Sequence, residues 1–235
     1  MNFSKTLTTL IIFSALSGQA PIALASAFDP PPGQGEPGST AGGASRPSQP
    51  TCLGQSSTDT FTVLAPKTYL GLTAQARPTF WIYLPSSRAK TLEFSLFDRQ
   101  RKGIYQTKIA IDNKSGFVKI TLPETAPALD FNQSYNWTVA LVCNPKRRTE
   151  DSVIGGWIQR QTPTAEFQSK LTRARTDLDR ANLYAQSQFW YDAISLLMTS
   201  DQPNSEAFKQ LWSSIIQTAG LEKLSDPHTQ TIVNR

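Results

Sequence analysis

Between Asp59 and Arg160 apolar and polar residues alternate in short runs, and from Thr162 onward apolar residues recur at three- and four-residue steps. The first pattern places every second side chain on one face of a strand, and the second draws a stripe along a helix. Phe61 and Val63 share a face in the first run. In RPTFWIYLP (Arg77 to Pro85), Phe80, Ile82 and Leu84 alternate with Trp81 and Tyr83. Both faces are apolar, so a central strand covered on two sides is expected. Leu92, Phe94 and Leu96 mark the next run, and Tyr105, Thr107, Ile109 and Ile111 the one after it. Asn113 to Gly116 predicts a hairpin turn into Val118, Ile120 and Leu122. Tyr135, Trp137, Val139, Leu141 and Cys143 form the longest clean alternation. A seventh run, Ser152 to Arg160, carries Gly155-Gly156 before Trp157, and glycines inside a strand mark a bulge or a close backbone approach. Seven short strands at this spacing predict an antiparallel, immunoglobulin-like sandwich over residues 52–160.

The helical part begins where Thr162 can cap and Pro163 suits a first helical position. Phe167, Leu171, Ala174, Leu178, Ala181 and Ala185 then form one stripe, opposite Arg173, Asp177 and Arg180. A break is expected at Gln186 to Gln188. A second helix holds Trp190, Ala193, Ile194 and Leu197. Pro203-Asn204 leads into a third with Phe208, Leu211, Trp212, Ile215 and Ala219, and Gly220 stands at the C′ position. Three short helices cannot bury all these stripes among themselves. Residues 161–235 therefore read as a three-helix C-terminal unit packed on the sandwich, and the whole as a β-rich α+β fold.

The N-terminal pattern is different in kind. Lys5, the apolar run Leu7 to Leu16 and the sites Ala23-Leu24-Ala25 and Ala25-Ser26-Ala27 read as a signal peptide over residues 1–25. The run is too short to span a bilayer, and no later run of about 18 apolar residues predicts a transmembrane segment in the mature chain. No cysteine sits just after the cleavage region, which argues against a lipid anchor. Residues 26–51 are almost all Pro, Gly, Ser, Ala and Gln and read as a disordered leader. A periplasmic or secreted location follows as an expectation. In such a compartment the even pair Cys52 and Cys143 reads as a disulfide. Closing a loop of about 90 residues would contribute roughly 4 to 5 kcal/mol on the chain-entropy view.

Charge changes the picture little. The formal balance of +5 drops to +4 if Lys5 leaves with the signal, and the basic knots Arg99-Arg101-Lys102 and Lys146-Arg147-Arg148 sit in turn sequences. No nucleic-acid reading motif accompanies them. His228 is the one histidine, and two cysteines do not complete a tetrahedral zinc site. Neither metal nor cofactor is expected.

Two resemblances arise from the residues. Ala181, Tyr184, Trp190, Ala193 and Ile194 fall where a tetratricopeptide-type helix pair wants small, aromatic, aromatic, small and apolar side chains, with Gln188 where that repeat prefers glycine. A single pair without a repeat period reads as a cap on the sandwich. More widely, the signal peptide, RPTFWIYLP, NWTVALVC (Asn136 to Cys143), GGWIQR (Gly155 to Arg160) and LYAQSQFWYDAISLL (Leu183 to Leu197) resemble the exported cyanobacterial family known as domain of unknown function 928. That resemblance implies export and the two-part layout, and no mechanism.

Catalytic patterns are sparse. Ser87-Arg88-Ala89-Lys90, Lys114-Ser115-Gly116 and Ser134-Tyr135-Asn136 imitate the motifs of penicillin-recognising serine enzymes, but in the wrong order and with the serine in a turn. A serine triad would need His228 in the tail. Glu93 with Asp98, and Asp177 with Asp179, are the candidate acid/base carboxylates, each also explained as a solvated position. No catalytic residue is assigned. Trp81, Tyr83, Trp157, Trp190 and Tyr191 are candidate partner contacts if exposed, and core or seam residues otherwise. The expected function is a non-enzymatic interaction or scaffold module working with an envelope or secreted protein. The alternative is a carboxylate-dependent hydrolase of envelope polysaccharide or peptide.

Overall fold

The computed structural model describes residues 52–53, 60–67, 69–111, 115–222, 224 and 232–233. The signal-peptide and leader segments, 1–25 and 26–51, lie outside these residues, as does His228. Among the described residues the strands are β1 (Thr62–Val63), β2 (Gly71–Thr73), β3 (Thr79–Leu84), β4 (Thr91–Phe97), β5 (Gly103–Ala110), β6 (Gly116–Thr121), β7 (Ser134–Leu141), β8 (Ser152–Arg160) and β9 (Ile232–Val233). The helices are α1 (Ala165–Arg173), α2 (Asp177–Gln186), α3 (Trp190–Met198) and α4 (Glu206–Thr218). The strands form two sheets, in the orders β1-β3-β6-β9 and β2-β8-β7-β4-β5. They meet through aromatic contacts: the Phe80 ring of β3 lies 5.0 Å from that of Phe94 on β4 and 4.8 Å from that of Trp137 on β7.

The α+β class stands, but the antiparallel seven-stranded immunoglobulin-like arrangement does not. All seven expected runs are strands, and β2 and β9 join them, each in parallel: β2 to β8 and β9 to β6. Segments of two or three residues are too short to show a period, which is why alternation missed them. The expected hairpin between β5 and β6 is also absent. β5 lies at the edge of one sheet beside β4, while β6 lies inside the other beside β3. Burial explains the separation. No residue of β5 is fully buried, its positions being exposed or half-buried, whereas Phe117, Val118 and Ile120 of β6 are buried on both faces.

Gly155 and Gly156 mark a close approach and not a bulge, because β7 and β8 keep continuous register through Trp137↔Gly156 and Thr138↔Gly155. A Cβ at Gly155 would stand 2.1 Å from the Trp137 carbonyl oxygen.

Four helices replace the expected three. Thr176 opens a new helix within the Phe167-to-Ala185 stripe: its hydroxyl accepts from the Asp179 N–H at 3.0 Å, and the Asp179 carboxylate accepts from the Thr176 N–H at 3.1 Å. This reciprocal capping box satisfies two free donors and ends the continuity of the stripe. Thr164, and not Thr162, caps α1 by accepting from the Phe167 N–H. Between α2 and α3, Gln188 holds a left-handed φ of 67°, and Gly220 after α4 holds 70°. Gly220 is the C′ residue expected, while Gln188 occupies a conformation that favours glycine. α2 packs on α3, and α3 rests on β2 and β3.

Cys52 and Cys143 are paired as a disulfide with Cα atoms 5.2 Å apart. Cys143 stands two residues beyond the end of β7. The Leu53↔Ser87 bridge places Cys52 beside the β3–β4 connection, so the disulfide ties this connection to the one between β7 and β8.

Candidate functional site

Helix α3 reads WYDAISLLM, and it buries Trp190, Tyr191, Asp192, Ala193, Ile194, Leu197 and Met198. Asp192 is its one charged residue. A carboxylate buried in an apolar helix needs partners, because taking it out of water is costly. The partners come from the β2–β3 connection. Asp192 Oδ2 accepts from the Ala74 N–H at 3.1 Å. The other oxygen, Oδ1, is buried with no hydrogen-bond partner, and so is Ser195 Oγ one turn further along the helix. Residues three apart share a helix face. Asp192 and Ser195 both line a cavity of about 380 Å³, together with Thr73, Gln75, Arg77, Arg180, Tyr184 and Leu196.

Desolvation pushes the Asp192 carboxyl up to about 6, against the pull of the Ala74 N–H and of the Thr73 and Gln75 side chains. Among the described residues no Lys or Arg lies within ion-pair distance of it. Burial also raises the Tyr184 hydroxyl, and the negative field of Asp192 adds to that rise. The cavity's two cations are held away from the carboxylate. Arg77 donates to the Pro123 carbonyl at 3.2 Å and to the Glu124 carbonyl at 3.1 Å, both neutral acceptors. Arg180 donates through Nη1 to Asp177 at 2.7 Å. The site therefore combines an inner uncompensated carboxylate, an adjacent free hydroxyl oxygen and two guanidinium groups.

The neighbouring side chain on α3 is used quite differently. Tyr191 Oη accepts from Trp137 Nε1 at 2.8 Å and donates to the Trp157 carbonyl at 2.9 Å. Its ring packs on Phe80 and Trp137 and lies over Gly71, where a Cβ would stand 2.6 Å from it. Trp190 Nε1 donates to the Leu64 carbonyl at 3.0 Å.

These contacts correct the exposed reading of the aromatic candidates. Trp81, Tyr83, Trp190 and Tyr191 are buried, and Trp157 is half-buried. They serve the core and the seam because the sandwich interior and α3 need large apolar side chains between them. Of the five, Tyr191 alone also lines the cavity.

The candidate carboxylates are committed elsewhere. Glu93 pairs with Arg148 and with Lys108, and the Arg148 guanidinium holds its carboxyl below the usual range. Asp98 accepts from the Gln100 and Lys102 N–H groups in a turn. Asp177 engages Arg180, and Asp179 caps α2. Ser87 sits in a strand connection and not at a helix start. Asp192 was the residue to find. Its signal was a single acid inside the apolar run from Phe189 to Met198.

Among the described residues no group of His, Cys, Asp and Glu is arranged to hold a metal ion, and no helix is long and apolar enough to cross a membrane. In sequence comparison, residues 41–228 match the family described as Domain of Unknown Function (DUF928). No curated protein matches the chain.

Proposed function

The chain belongs to the Domain of Unknown Function (DUF928) family, and on that footing we propose that it is an extracytoplasmic, non-enzymatic binding module with its ligand in the cavity at Asp192. One observation carries this reading: Asp192, which has a buried carboxylate oxygen without a partner, lines a cavity of about 380 Å³. Buried polar groups in folded proteins are nearly always satisfied, and an exception calls for a functional reason. The volume falls within the range of small-ligand sites. The cavity, and not the aromatic set, is the candidate contact. The signal-peptide pattern, the cysteine pair at disulfide distance and the resemblance to an exported cyanobacterial family support a periplasmic or secreted setting. Hydrolysis by paired carboxylates is the weaker reading, since it requires two acids flanking the scissile bond, and Asp192 is the one carboxylate among the lining residues.

The test is a thermal-shift panel of amino acids, short peptides, sugars, small acids and small amines on the mature chain and on Leu196→Trp, which fills the cavity wall. A ligand class that raises the melting temperature of the first and not of a folded Leu196→Trp supports the reading. A blank panel, or equal shifts in both proteins, contradicts it.

A further inference from the structure

We propose that the cavity recognises a primary ammonium group, seated between Asp192 Oδ1 and Ser195 Oγ, on a small zwitterion whose carboxylate is held by Arg77 and Arg180. The ligand class is a free amino acid or a short peptide with an unblocked N-terminus. This rests on the cavity being a binding site.

The inner wall offers a carboxylate that no cation of the protein meets, beside a hydroxyl. Oδ1 of Asp192 and Oγ of Ser195 are both buried and unpartnered, on one face of α3. An ammonium brings three donors and a positive charge. The charge matters as much as the hydrogen bonds. Every group that touches the Asp192 carboxylate is neutral: the Ala74 N–H, and the Thr73 and Gln75 side chains. A sugar hydroxyl would satisfy an oxygen and leave the charge uncompensated, whereas an anion would be repelled. A cation of ligand origin supplies what the protein withholds.

The two guanidinium groups have the opposite need. Arg77 is anchored by two backbone carbonyls, so its position is set while its charge meets no carboxylate. Arg180 gives one nitrogen to Asp177. Planar guanidinium groups hold carboxylates through paired N–H donors. Leu171, Leu196 and Pro78 supply an apolar wall for the carbon skeleton. The cavity holds the equivalent of about a dozen waters by volume, enough for a short peptide.

Proton linkage gives the inference a second signature. The ammonium pairs with ionised Asp192, whose carboxyl in the free protein titrates at about 6. Affinity should be greatest between about pH 6 and the α-amino pKa of about 8, falling about tenfold per unit below the first and above the second. The other groups facing the site are the Tyr184 and Tyr191 hydroxyls, which burial holds neutral, and the guanidinium groups of Arg77 and Arg180.

The experiment is calorimetric titration of the mature chain at pH 7.5 with alanyl-alanine, its N-acetyl derivative and its C-terminal amide. We expect the free dipeptide to bind, the N-acetyl derivative to lose roughly 30-fold or more and the amide about 5- to 10-fold. Asp192→Asn should lose roughly as much for the free dipeptide as acetylation does, and Arg77→Gln should weaken the dipeptide without affecting the amide. If the acetylated dipeptide binds as well as the free one, or Asp192→Asn leaves affinity unchanged, the ammonium assignment is wrong and the binding cavity survives. If none of the three binds while another class passes the thermal-shift panel, the inference falls alone. If that panel is also blank, both fall.

Discussion

Tyr191 and Asp192 are consecutive residues on one buried helix, and they face two different regions. On the sheet side, the Tyr191 hydroxyl closes a network between two tryptophans of neighbouring strands, with both hydrogen-bonding roles used. On the cavity side, Asp192 has one oxygen tied to a loop amide and the other left bare. In the first region the Tyr191 hydroxyl, the Trp137 indole N–H and the Trp157 carbonyl are all paired. The second tolerates a group that a core would reject. The contrast separates what holds α3 in place from what α3 presents, and it can be broken at several points.

The largest effect should come from removing both regions at once. A chain ending at Arg160 loses Trp190 and Tyr191, uncovers Phe80 and leaves Trp137 Nε1 and the Leu64 and Trp157 carbonyls without their partners. Each buried aromatic contributes about 1.5 to 3 kcal/mol, so the truncated chain should aggregate or lose a cooperative melt. A soluble, monomeric product as heat-stable as the full chain would show that the sandwich does not depend on the helices.

Asp192→Asn should act in the opposite direction. The folded-state carboxyl titrates at about 6 against an ordinary 3.8, so the native state holds the proton more tightly than the unfolded chain. Stability from this group is fully present below about 3.8 and is lost as pH rises through 6. The variant should therefore be more stable than wild type by up to about 3 kcal/mol at pH 8, with the gain vanishing near pH 4. Urea denaturation of both proteins at the two pH values measures this. A loss of stability at pH 8 would mean that the carboxylate is a structural ion.

Tyr191→Phe tests the sheet side. It leaves the Trp137 indole N–H and the Trp157 carbonyl unpaired, at a cost of about 1 to 3 kcal/mol. Burial keeps the hydroxyl neutral, so the loss should be equal at pH 5 and pH 8. The smallest effect is expected at Gln188, whose left-handed backbone costs a non-glycine residue about 1 kcal/mol. Gln188→Gly should raise stability by about that much at every pH and leave the titration of Asp192 unchanged. A pH-dependent gain there would show that the α2–α3 turn and the cavity are coupled.

The sequence shows one of the two regions far better than the other. Alternation in RPTFWIYLP and from Tyr135 to Leu141 marks the buried strands, because a core face repeats along a strand. The α1–α2 break was written in Thr176 and Asp179, but the stripe runs through Ala174 and Leu178 as if nothing stopped there. The aromatics were open to both a surface and a seam reading, because burial in the seam depends on how α3 lies on the sheets. Asp192 was the hardest to see. Its partner amide, at Ala74, is 118 residues away, and the cavity exists only once that loop meets the helix.

The most direct test follows the Asp192 carboxyl carbon by NMR through a pH titration of the protein, free and saturated with alanyl-alanine. The account predicts a midpoint near 6 in the free protein, falling by at least about one unit when the ligand ammonium supplies the missing charge. A free midpoint near 3.8, the ordinary value, would show that the carboxylate is not held at a cost. A midpoint that stays near 6 with the dipeptide bound would show that Asp192 is not its counter-ion.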